Sequence, residues 1–117
     1  MKTNEYMLEV KRTLPDLGSD FNNQLHMVIG VSTEAGELLD AYKKNFAYGK
    51  EIDTINVMEE ISDIFWYIYN LCNMLSLDPE KIMQTNIDKL RARYPEMFTE
   101  DKAINRDLDT ERKILEK

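Results

Sequence analysis

A single cysteine, Cys72, denies this 117-residue chain any internal disulfide. Burial and hydrogen bonding must therefore hold the fold, and a reducing cytoplasm is the compartment that fits. No long apolar run is present either. The most apolar stretch, "ISDIFWYIYNLCNMLSL", is broken by Ser62, Asp63, Asn70, Asn73 and Ser76. It is too short and too polar to span a bilayer. The opening "MKTNEYMLEVKRTL" lacks the continuous apolar core of a signal peptide. Basic residues are outnumbered, 15 against 22 acidic ones, for a net charge of −7. That balance argues against a nucleic-acid backbone or an anionic membrane surface as the main partner. It leaves room for a small anionic substrate if a cation mediates the contact. Strand-like alternation, internal repeats and low-complexity segments are all missing.

What is present is apolar material, 43% of the residues, in helical spacing. The length predicts one domain over residues 1–117. With four glycines and three prolines, the breakers are few and act as punctuation. A first helix is expected from Thr3 to about Leu14, ended by "LPDLGSD". Asp20 is the expected cap of a second helix that runs to about Ala47, roughly 40 Å at 1.5 Å per residue, and Gly49 closes it. Asp53 or Thr54 opens a third helix that runs to about Ser76. Asp78 as cap and Pro79 at the first position start a fourth, which Pro95 stops. One short helix is expected in the tail, near Asp109 to Leu115. The class is all-α: a helical bundle of four main helices plus a short C-terminal helical tail. From Ile61 to Leu77 the third helix is apolar nearly all round, and such a helix must be covered on every side. A second copy of the chain would complete the cover, so a homo-oligomer is expected, a homodimer or a homotetramer.

Around "STEAGELLD" (Ser32 to Asp40) on the second helix, Met27, Val31, Leu38 and Ala41 share one face. Glu34 falls in the middle of it and Glu37 close beside it. The pattern repeats in "EEISDIFWY", where Glu60 and Asp63 lie on the face of Val57, Ile64, Tyr67, Leu71 and Met74. A small rotation of that helix would exchange Glu60 for Glu59. Carboxylates on an apolar stripe are costly unless paired. If two packed helices, about 8–10 Å apart, share this seam, four carboxylates converge. Two charges about 5 Å apart at an effective dielectric of 20 repel by about 3 kcal/mol, so the group needs protons or a cation. Oxygen donors select Mg²⁺, Mn²⁺ or Ca²⁺. A di-iron bundle needs Glu-x-x-His motifs, and the one histidine, His26, has no glutamate three residues before it. Zinc lacks His and Cys ligands here. The pattern by itself leaves two readings open, a metal site and two solvated acidic faces.

On the fourth helix, Asn86, Lys89 and Arg93 share one side, flanking an apolar stripe of Ile82, Met83, Leu90 and Tyr94. Such residues hold phosphate oxygens, or border a core and extend to water. Lys43, Lys44 and Lys50 are further cationic candidates. His26, two turns before Glu34, reads as a core histidine, with substrate contact as the alternative.

"EAGE" followed by "EEISDIFWYI" resembles the E-x-x-E…E-x-x-D signature of the MazG-like, all-α nucleoside triphosphate pyrophosphohydrolases. "NIDKLRARYPEMF" and "INRDLDTERKILE" resemble the C-terminal part of short, phage-type members. The resemblance covers roughly residues 21 to 115, and Ser62 departs from a glycine common at that position. It implies Mg²⁺, with Mn²⁺ as substitute, held by Glu34, Glu37, Glu60 and Asp63, which are also the implied catalytic residues. It implies cleavage between the α- and β-phosphates of a nucleoside triphosphate substrate, giving a monophosphate and pyrophosphate. Asn86, Lys89 and Arg93 match phosphate or nucleotide contacts, and Lys50 and His26 are carried as further substrate candidates. Relatives assemble as dimers or tetramers. The alternative is a non-catalytic nucleotide- or metal-binding module of the same fold.

Overall fold

In a computed structural model of the chain, describing Met1–Lys117, every regular element is helical. The elements are α1 (Thr3–Val10) with a 3₁₀ turn at Lys11–Thr13, α2 (Asp20–Tyr48), α3 (Thr54–Met74), α4 (Pro79–Arg93), α5 (Glu100–Ile104) and α6 (Leu108–Glu116). No helix is long and apolar enough to cross a membrane. The chain forms two compact units, Met1–Ser76 and Leu77–Lys117.

The caps explain the boundaries. Asp53 accepts hydrogen bonds from the backbone N–H groups of Ile55 (3.0 Å) and Asn56 (3.2 Å) and starts α3. Asp78 accepts from Glu80 (3.0 Å), with Pro79 at the first helical position of α4. Gly49, at φ 66°, closes α2. The cap of α2 is Ser19 rather than the expected Asp20: its hydroxyl accepts from the Asn22 N–H at 3.1 Å. Asp20 is the first helical residue, where its charge favours the helix dipole. α1 ends earlier than its apolar pattern implies. The Asn73 amide donates to the Met7 carbonyl at 2.9 Å and the Asn70 amide to the Val10 carbonyl at 3.1 Å. Side chains thus occupy carbonyls at the end of α1, and the chain tightens into the 3₁₀ turn. α3 stops two residues short of Ser76, which turns to φ 54°. The tail holds two helices where one was expected, because Thr99 caps the additional α5.

In the first unit α2 and α3 pack along one seam, with α1 on another side of α3. The seam buries Met27, Gly30 and Ala41 from α2 and Glu60 from α3, so the face inferred from spacing is the inward one. The buried hydrophobic residues are Val10, Met27, Ala41 and Cys72. Ile61, Phe65 and Ile68 on α3 and Val28 and Ile29 on α2 stay exposed; Phe65 keeps 48% of its surface. In the second unit α4 packs on α6.

Candidate functional site

The α2–α3 seam brings Glu34, Glu60 and Asp63 together, with one carboxylate oxygen from each lying within 4.8 Å of the others. Glu60 is 9% exposed, and Glu34 and Asp63 are half-buried. Glu59 faces outward. Glu60 is held above the usual carboxylate range, first by burial, then by a hydrogen bond with Glu34, then by the charges of Glu34, Glu37 and Glu59. The fourth acidic residue, Glu37, is exposed and lies outside the trio, yet its charge reaches Glu60. Partly buried acids that repel one another and offer only oxygen donors fit a hard divalent cation, which would neutralise them.

One turn along the seam, α2 has no side chain at Gly30, and the Tyr67 ring fills the space. A Cβ at Gly30 would overlap that ring. The contact lies four residues from Glu34 on α2 and four from Asp63 on α3, so it sets the helix separation beside the acids. Beyond it, His26 meets Tyr67 edge-on at 5.8 Å, and its Nδ1 is buried without a hydrogen-bond partner. The structure thus packs His26 into the seam against Tyr67. Trp66 packs edge-on against Tyr67 at 4.9 Å and donates its Nε1–H to the Thr13 hydroxyl at 2.8 Å.

The cationic candidates differ in their surroundings. Lys43, Lys44 and Lys50 are exposed, and Lys44 pairs with Asp40 at 3.2 Å. Asn86 is exposed and Lys89 half-buried on α4. Arg93 is engaged: its Nε and Nη2 donate to the two carboxylate oxygens of Glu111 at 2.7 and 3.1 Å. Arg106 grips the same carboxylate through Nε (3.4 Å) and Nη2 (2.5 Å). Glu111 is 4% exposed, and the two guanidinium groups hold its carboxyl down to about 2. Arg93 is in turn held more firmly charged by Glu111, then by Tyr94. Glu111 and Arg106 escaped the sequence reading. In a charged tail, "RDLDTERK" looks like solvated surface, and the partner on α4 lies 18 residues away. Gly30 escaped it too, because a helical glycine carries no sign of which ring rests on it.

Compared with family models, residues 22–98 match the MazG nucleotide pyrophosphohydrolase domain. The match spans more than half of the 117 residues. It includes the acidic residues of both helices together with Asn86, Lys89 and Arg93, and it ends before Arg106 and Glu111. Comparisons with curated proteins and with solved structures each gave no match.

Proposed function

We propose that this chain, which belongs to the MazG nucleotide pyrophosphohydrolase family, hydrolyses a nucleoside or deoxynucleoside triphosphate between the α- and β-phosphates in a Mg²⁺-dependent reaction. The observation that carries this reading is the trio Glu34, Glu60 and Asp63 at the α2–α3 seam, inside the family match. These three would hold the ion, with Glu37 beside them, and Mn²⁺ would substitute. When bound, such an ion neutralises phosphate charge and activates water. Glu37 would complete the ion's carboxylate set, and a carboxylate not committed to the ion would accept the proton of an attacking water. The water oxygen bonds to phosphorus, the bond to the bridging oxygen breaks, and pyrophosphate leaves with its electron pair. Lys89 and Arg93 are the phosphate contacts of this reading, with Asn86, Lys50 and His26 as further substrate contacts. The working form is a homodimer or homotetramer in the cytoplasm, the second copy covering the apolar surface that Ile61, Phe65 and Ile68 leave exposed.

The test is product analysis across a panel of NTPs and dNTPs with Mg²⁺. A monophosphate and pyrophosphate are expected from at least one of them, and chelation with EDTA should stop the reaction. A diphosphate with orthophosphate would place the cut at the γ-phosphate and reject the reading.

A further inference from the structure

The C-terminal unit contains a charge arrangement that the acidic seam does not explain. One buried carboxylate, Glu111, serves two arginines, Arg93 from α4 and Arg106 from the turn before α6. The three residues together carry one uncompensated positive charge. Glu111 pairs with Arg93, whose side chain is only 14% exposed, and Arg106, at 38% exposed, leaves the trio with a positive charge open to solvent. Such a charge beside a hollow attracts an anion. Glu111 engages only the Nε–Nη2 edge of each guanidinium, so both Nη1 groups lie outside the ion pairs. A guanidinium gripped along one edge is fixed in orientation; Arg93 also lies over the Tyr94 ring at 5.6 Å, so Arg106 is the one whose other edge is left for a second oxyanion.

A cavity of about 140 Å³ lies beside this trio, also lined by Lys102, Asn105, Asp107 and Thr110. It has room for several waters, at about 30 Å³ each in the liquid. Lys102 makes no ion pair. The remaining acid, Asp107, accepts hydrogen bonds from the Thr110 N–H at 3.1 Å and hydroxyl at 2.7 Å, which caps α6 and turns its charge toward that helix. Three cations therefore face two carboxylates, both already bonded, around a hollow in a chain that is acidic overall.

We propose that Arg93, Arg106 and Lys102, with Glu111 fixing the two guanidinium groups, form an oxyanion site that takes a phosphate group. Arg93 lies inside the family match and Arg106, Lys102 and Glu111 lie beyond its end at residue 98. The phosphate has two sources, the nucleotide or a free phosphate such as pyrophosphate. Only the first rests on the function proposed above.

The experiment is calorimetric titration of pyrophosphate into the 117-residue chain in EDTA, where the acidic seam repels the anion. Wild type should bind. Arg106→Ala, which leaves the Arg93–Glu111 pair to hold α6, should bind about tenfold more weakly or worse, the scale of a lost charge-assisted hydrogen bond. Arg112→Ala removes an equal charge from an exposed residue of α6 that pairs with Glu116, and should bind like wild type. No binding by wild type overturns the site. So does an Arg106→Ala protein that binds like wild type, or an equal loss in both variants, which marks a diffuse charge effect. Kinetics then assign the source. A raised KM for the nucleotide with kcat retained identifies a substrate phosphate, and an unchanged KM identifies free phosphate. Because pyrophosphate binding is read without turnover, the site stands or falls even if the chain proves to hydrolyse nothing.

Discussion

Glu60 and Glu111 are both carboxylates removed from water, and their neighbours give them opposite chemistry. Glu60 meets other acids, and its proton is held more tightly. Glu111 meets two arginines, and its proton is lost down to about 2. Glu60 was legible in the sequence because it interrupts an apolar helical stripe, and a carboxylate there demands an explanation. Glu111 was not, because nothing within its own helix announces burial; its partners come from α4 and from the turn before α6. The two predict different responses to acid. Glu111 has an ordinary value of 4.5 and a folded value of about 2, so the unfolded chain takes up its proton first as pH falls. Its contribution to stability is fully present above about pH 5 and is lost as pH drops from there toward 2. Thermal melts across that range should show wild type losing its advantage over Glu111→Gln as the solution becomes more acid. A difference between the two that does not shrink would mean that Glu111 is not the ion-pair centre described.

At the scale of elements, the starts of α3 and α4 and the close of α2 were readable to within a residue. Aspartate, proline and glycine act there through local backbone chemistry. Where boundaries differ, the cause is distant in sequence. α1 stops at Val10 because Asn70 and Asn73, on α3, take its carbonyls. No local propensity carries that information. Helix α3 also supplies the assembly prediction. Its run from Ile61 to Met74 is apolar on nearly every side, and Ile61, Phe65 and Ile68 remain exposed when α1 and α2 are in place. Contiguous apolar surface of this kind marks interaction sites, and the proposed oligomer would cover it. Sedimentation at micromolar concentration should give a dimer or a tetramer. Phe65→Lys should shift it toward monomer at little cost to the fold, since the ring is already half in water. A wild-type chain that sediments as a stable monomer would show that the face is solvated.

For the whole molecule, the triphosphate substrate proposed here sets a problem of charge, because the chain is acidic overall. Three of its acids meet at the α2–α3 seam, where a cation would reverse their effect, while Arg93, Lys102 and Arg106 line a hollow in the C-terminal unit. The pairing of acids across two helices was visible from spacing. That three of them meet closely while Glu37 stays outside the trio was not, because helical phase alone does not tell how far a side chain reaches. The Gly30–Tyr67 contact, equally invisible in the pattern, sets the separation that lets them meet. The metal centre itself is best tested by calorimetric titration of Mn²⁺ into wild type and into Glu60→Gln. That substitution preserves shape and removes the most buried carboxylate of the trio. Wild type should bind the ion, and Glu60→Gln should bind it about tenfold more weakly or not at all, while melting no earlier than wild type in EDTA. Equal Mn²⁺ affinity in the two proteins, or none in wild type, would contradict a metal centre at this seam.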